Sequence, residues 1–203
     1  MAPHTHPAAM LARRYWRATQ GGVSRAFSLA AQHRRPTSSL HDLVGDANQP
    51  GLLGGYGVKA VALVDVNAGE VIFREKGELL SSPSMHSIQT GIERHCQIDG
   101  EGRYTAHSFS PNTAILIAPL EPKPISFVAL RPIPKGEEIS FDYTTTEWEL
   151  GDGGFVDAST STPVRGFKHL ADAQKRRLLD AGLLPAHILQ LWLGEVLLPT
   201  RAP

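Results

Sequence analysis

The residues with chemistry to offer stand in three places. Tyr143 ends the run Gly136-Glu137-Glu138-Ile139-Ser140-Phe141-Asp142-Tyr143, which reads as a strand closing on a phenol, followed by the polar loop Thr144 to Thr146. A phenol at a strand's last residue lies at the rim of a core, half buried and half free. With a pKa of about 10 it is protonated at neutral pH, so it orients a partner sooner than it removes a proton. The second place is Ala106-His107-Ser108-Phe109-Ser110-Pro111-Asn112, a segment with no helix or strand period. Ordering polar groups in such a segment is costly unless something holds them. The third is Gly55-Tyr56-Gly57, a corner at which backbone can come close to a ligand.

A fourth candidate is weaker. Cys96 is the only cysteine and stands beside His95. A thiol nucleophile using Cys96 with His95 or His107 is disfavoured because neighbouring strand residues point to opposite faces. The same three residues fit no metal-ligand spacing, and one cysteine allows neither an intrachain disulfide nor a multi-cysteine zinc cluster.

The elements that must position these groups are short. Val58, Ala60 and Ala62 alternate with Lys59, Val61 and Leu63, a turn follows at Ala68-Gly69, and Val71 to Phe73 return. The run ALVDVNAGEVI (62 to 72) is echoed by ALRPIPKGEEI (129 to 139), with Ala, Leu, Gly, Glu and Ile in matching places and Val66 opposite Ile133. Two copies predict two similar strand-turn-strand ribbons, each with glycine at its turn. Strands are expected at Ser87 to Gln89, Glu93 to Ile98, Ala114 to Ala118 and Ile125 to Leu130. Helices close the chain at Ala171 to Ala181 and, after Pro185, at Ala186 to Leu197. Ile188, Leu189, Trp192, Leu193 and Val196 form an apolar stripe on the last, which either docks it or serves a dimer contact.

Length and charge bound the rest. The 203 residues suffice for one domain with a core. The first 41 hold six arginines and no acid; all 20 acids and the other 14 basic residues follow, so a leader of +6 precedes a body of −6. Leu11, Tyr15 and Ala18 would share one helix face opposite Arg13, Arg14 and Arg17. This pattern is expected of an organellar transit peptide, mitochondrial in type, with Arg25-Ala26-Phe27-Ser28 resembling a cleavage site; a disordered basic tail is the competing reading. Without it the protein would be cytoplasmic or nuclear. No apolar run reaches the roughly 18 residues of a membrane span. The expected division is a leader at 1–41, a core at 42–150 and a closing loop with helices at 151–203.

In this order and spacing, the three motifs resemble those of the SET-domain lysine methyltransferases: G-x-G, then N-H-S-C-x-P-N, then G-E-E-L-x-F-D-Y. The likeness extends to Val164-Arg165-Gly166-Phe167-Lys168-His169-Leu170. It implies a mainly β fold of several small curved sheets with a knot-like C-terminal crossing and a helical C-terminus. It also implies S-adenosylmethionine bound on one face and a substrate lysine entering from the other. Tyr143 would then be the catalytic residue. Gly55, Tyr56, Gly57, Tyr104, Ala106, His107, Tyr143 and Phe167 would bind the cofactor, and Phe141, Tyr143 and Phe155 would line the lysine channel. A Phe at 141 implies di- or trimethylation.

Two departures stand out. Ala106 replaces the family's Asn, and Phe109 its Cys. Where many relatives carry a zinc-binding cysteine cluster, Phe155 to Thr162 has none, so no metal is expected and Phe155, Phe167 and the helices would close the channel. A catalytically weak or silent SET-fold binding module is the alternative these departures raise. The expected partner is a lysine-bearing protein or peptide, steered by the acidic body. Direct nucleic-acid binding is not expected, and oligomeric state is open.

Overall fold

The computed structural model describes residues 59–197. The leader and the Gly55-Tyr56-Gly57 corner lie outside the described residues. The fold is mainly β, with small sheets and two C-terminal helices. One three-stranded sheet has the order β1 (Val71–Glu75), β7 (Ile125–Ala129), β6 (Thr113–Ile117), all antiparallel. A second has the order β2 (Gly77–Leu80), β4 (Arg94–Ile98), β3 (Ser87–Gly91). A parallel pair joins β5 (Ala106–His107) to β8 (Ser140–Phe141), and a hairpin joins β9 (Phe155–Asp157) to β10 (Thr162–Val164). Helices α1 (Asp172–Asp180) and α2 (Ala186–Leu197) follow. Among the described residues no helix is long and apolar enough to cross a membrane.

The echoed ribbons pair with each other. Val66 and Ile133 exchange two hydrogen bonds, each N–H to O at 2.9 Å. Around that centre the bonds repeat with an offset of 67 residues: Gly69 N–H donates to Ala129 O and Gly136 N–H to Ala62 O, Ala129 N–H to Glu70 O and Ala62 N–H to Glu137 O. The ribbons are therefore related by a local two-fold axis. Gly69 and Gly136 hold φ of +81° and +87°, a region that favours glycine. Ala60, Ala62, Val66, Ile133 and Ile139 are buried between the ribbons. Each isoleucine contributes about 2–3 kcal/mol by leaving water.

A second core fills the space between the sheets with Ile98, Ile115, Ile125, Phe127 and Phe141. Cys96 is fully buried there, and burial pushes its thiol's pKa up, the opposite of an activated nucleophile. The third core holds the C-terminus: Phe167, Leu178, Leu179, Leu184 and Ile188 are buried, with Leu189 and Trp192 packed against them. The apolar stripe on α2 thus docks within the chain through Ile188, Leu189 and Trp192.

Candidate active site

Tyr143 is not the last residue of a strand. The strand stops at Phe141, and Tyr143 opens a 3-10 turn, Tyr143–Thr145. Asp142 causes the change, because its carboxylate accepts from Thr144 N–H at 3.0 Å and from Thr144 Oγ1 at 2.6 Å, capping the turn. The stretch expected as a polar loop is buried instead, with Thr144 1 % and Thr146 0 % exposed. Their hydroxyls bond within the turn, Thr145 Oγ1 donating to Asp142 O at 2.7 Å. That satisfaction is what allows polar residues inside.

The parallel pairing of β5 and β8 brings His107 beside the turn. Ala106 lies opposite Ser140 and His107 opposite Phe141. Asn112, 1 % exposed, fastens the segment from below: its amide donates to Glu137 Oε1 at 2.9 Å and Glu138 O at 2.7 Å, and its carbonyl accepts from Ser140 N–H at 2.9 Å. The aperiodic segment is therefore ordered by strand pairing at one end and by one amide at the other.

The tautomer of His107 follows from its neighbours. Nδ1 accepts from Tyr143 N–H at 3.2 Å, so the ring proton sits on Nε2. Burial pushes the pKa of His107 down to about 4, which keeps it neutral. Its Nε2 is buried and finds no hydrogen-bond partner among the described residues, and the same holds for Thr105 Oγ1.

The phenol hydroxyl donates to Thr105 O at 2.6 Å. Burial, together with the negative charges of Glu147 and Glu138, pushes its pKa up to about 12. At neutral pH it is therefore no base; with its proton engaged, its oxygen is left as an acceptor for an incoming N–H. Around it stand aromatic rings: Phe141 with centroids 4.6 Å away, His107 at 5.2 Å and Phe155 at 6.0 Å. His107 also meets Phe155 edge-on at 5.6 Å and Phe109 at 4.6 Å. The bulk that Phe109 brings is thus spent against the His107 ring.

The site residues expected from the sequence fall into three groups. Tyr143, His107, Phe141 and Phe155 are brought together, and Ala106 is next to them on β5. Tyr104 packs against the ribbon core, with the Arg103 guanidinium 4.6 Å from its ring centre. Phe167 is fully buried, stacked on Trp148 at 5.9 Å and edge-on to Trp192 at 5.3 Å, in the helical core away from the rings around Tyr143. Gly55, Tyr56 and Gly57 lie outside the described residues. Four contributors were not anticipated: Thr105, Asn112 as the fastening amide, Asp142 as the cap, and Glu147. Only Asp142 carried a local signal, an acid two residues ahead of a threonine-rich stretch; the others act through partners distant in sequence. Among the described residues no cluster of His, Cys, Asp and Glu side chains is gathered as a metal would require.

No curated protein matches the chain. Residues 55–144 match the model of the SET domain, a span that runs from the glycine corner to the turn opened by Tyr143. With the parallel β5–β8 pair and the capped phenol inside that span, residues 55–144 of this chain are a SET domain.

Proposed function

We propose that the protein transfers a methyl group from S-adenosylmethionine to the side-chain amine of a lysine in a protein substrate. SET domains are usually protein-lysine methyltransferases, and the observation that carries the reading here is the phenol of Tyr143, tied to Thr105 O and ringed by Phe141, His107 and Phe155. When bound, S-adenosylmethionine supplies an electrophilic methyl on a sulfonium. The residues available to hold it include two buried polar atoms that find no partner among the described residues, Thr105 Oγ1 and His107 Nε2–H. A buried polar atom without a partner costs about 1–3 kcal/mol, so a polar ligand that satisfies both fits this place. Gly55, Tyr56, Gly57, Tyr104 and Phe167 remain the other expected contacts of the cofactor.

The chain's own residues then do three things. Phe141 and Phe155 give a lysine an apolar wall, which lowers its pKa from about 10.4 toward the neutral amine that can react. Tyr143 accepts an N–H from that amine and fixes its direction, since alignment is what an in-line displacement requires. Phe141 lacks the hydroxyl that would hold a water or crowd the amine, which favours di- or trimethylation. A leader of the transit-peptide type would deliver the activity to an organelle; a fluorescent fusion of residues 1–41 tests that part.

A second reading has one observation behind it. Ala106 offers no amide at a position half-buried beside the site, which favours a binding module with little turnover. The deciding experiment is calorimetry with S-adenosylmethionine, followed by labelled methyl transfer to a lysine-peptide array. Binding with turnover supports the enzyme, binding of peptide without turnover supports the module, and absence of cofactor binding at millimolar concentration removes the first reading.

A further inference from the structure

We propose that Glu147 is a positioning residue for Tyr143: wedged between β3, β4 and α2, it holds the turn that begins with the phenol and places a negative charge behind it. The inference rests on the reading of Tyr143 as the group that orients the amine. Glu147 N–H and Thr146 N–H both donate to Tyr143 O, at 2.9 and 3.1 Å, so these residues complete the turn that starts at the phenol. The Glu147 side chain is 6 % exposed. Its Oε1 accepts from Gln89 N–H at 2.8 Å and from Thr146 Oγ1 at 3.3 Å. Its Oε2 faces His95 Nδ1 at 3.7 Å, a buried nitrogen with no hydrogen-bond partner among the described residues.

The neighbouring residues are gripped in the same way. His187, on α2, donates from Nε2 to Thr146 O at 2.8 Å. Gln89 Oε1 accepts from Trp148 N–H at 2.8 Å. Three consecutive residues after the turn are therefore hydrogen-bonded by two residues from separate elements, His187 of α2 and Gln89 of β3, neither of which belongs to the matched site motifs. A structure that needed only to cover the turn would use apolar residues, because a buried carboxyl is costly unless its charge or its bonds are used.

Charge enters through the same geometry. The titratable groups bearing on Glu147 are His95 from β4 and Tyr143 in its own turn; His187 from α2 bonds the adjacent Thr146 O, and Glu138 is the other acid bearing on the phenol. Burial pushes the carboxyl's pKa up to about 7, and burial holds both histidines below their ordinary value, so they are neutral when it ionises. As pH rises through neutrality, Glu147 gains its charge. Its bonds to Gln89 and Thr146 become charge-assisted, and the phenol keeps its proton more firmly. The phenol remains a protonated, oriented group in the alkaline range where a lysine amine becomes neutral.

The test is Glu147→Gln in the full chain, which keeps the shape and the acceptor for Gln89 while removing the charge. Tyrosinate absorbance is titrated in both proteins, with Tyr143→Phe assigning the signal. The Tyr143 phenol is expected to ionise about one pH unit or more lower in Glu147→Gln. With a lysine peptide, kcat should fall about tenfold with KM changed less than twofold, and the inflection near pH 7 in kcat should vanish. A merely structural role would lower Tm and leave the phenol titration and the pH profile alone, and that result overturns the proposal. If Glu147→Gln does not fold, His95→Phe removes the facing imidazole: an inflection moved to higher pH supports the proposal and an unmoved one overturns it. If wild type turns over no lysine peptide, the methyltransferase reading fails, while the phenol titration still decides for or against Glu147.

Discussion

The two ribbons share a backbone and differ in where they lead. Ala62 to Ile72 and Ala129 to Ile139 make the same hydrogen bonds about one axis, with glycines of matching φ at their turns. The correspondence continues past the ribbons, where Glu75 and Asp142 occupy equivalent places 67 residues apart. Both are buried acids that cap a 3-10 turn. Glu75 accepts from Gly102 N–H at 2.9 Å in the turn Glu101–Tyr104, and Asp142 caps Tyr143–Thr145. The first turn ends at Thr105, whose carbonyl receives the phenol hydroxyl, and the second begins with that phenol. Each acid therefore steadies one partner of the 2.6 Å bond at the centre of the site. A symmetric frame holds an asymmetric pair, carbonyl on one side and phenol on the other, and only the second ribbon delivers chemistry.

The sharpest break in that symmetry is Tyr143→Phe. It should lower methyl transfer by about a hundredfold or more, the loss of one aligned polar group at a reacting centre, while the unfolding midpoint in urea moves little. No substitution on the first ribbon should cost activity without costing stability.

Next come the two caps. Asp142→Ala leaves two donors unpaired and Glu75→Ala leaves one, each orphan costing about 1–3 kcal/mol, so the first variant should be the less stable in urea unfolding. Gly100 and Gly102 wrap so closely round Glu75 that an added Cβ would meet its carboxylate or Phe127, which ties that turn to the acid as firmly as the bond does.

Both carboxyls also carry a pH signature. Burial raises each above its ordinary value, in spite of the bonds they accept. A raised carboxyl binds more protons folded than unfolded, so its contribution is fully present below the unfolded pKa and is lost as pH rises through the folded one. Glu75→Gln and Asp142→Asn should therefore gain stability relative to wild type as pH rises from the ordinary carboxylate value through the raised one. Equal gains would show the acids equivalent; a gain confined to one would break the pairing.

The smallest effect tests the frame itself. Nothing lies within 4 Å of a Cβ at Gly69 or Gly136, so alanine there meets only the strain of positive φ. Gly69→Ala and Gly136→Ala should each cost about 1 kcal/mol and agree within error in thermal unfolding. Unequal costs would mean that the turns are alike in shape but not in the load they carry.

Much of this was legible without coordinates. Short strand-like runs located β3 and β4, and continuous apolar runs located β6 and β7, to within one or two residues of each end, because a buried strand needs apolar residues throughout its length. The echoed runs foretold two like ribbons with glycine at their turns and Val66 matched to Ile133. They could not foretell that the ribbons would pair with each other, since an internal repeat does not state its own symmetry axis. Tyr143, His107, Phe141 and Phe155 were named from motif and aromatic type. Tyr104 and Phe167 were named for the same reasons, and their rings pack elsewhere, because an aromatic side chain buries well in any core and its type does not say which.

The amino-acid sequence by itself determined β1, β3, β4, β6 and β7, the glycine turns, the two closing helices and the identity of the phenol, because each depends on neighbours a few residues away; it left β2, β9 and β10 unmarked. Tertiary structure alone decided that Tyr143 begins a buried turn, that Thr105 receives its proton, that Asn112 fastens the loop and that Glu147 sits against Gln89 and His95. Those contacts join residues from 25 to 58 positions apart. Burial then sets their protonation, and burial is a property of the packed chain that no single stretch of residues carries.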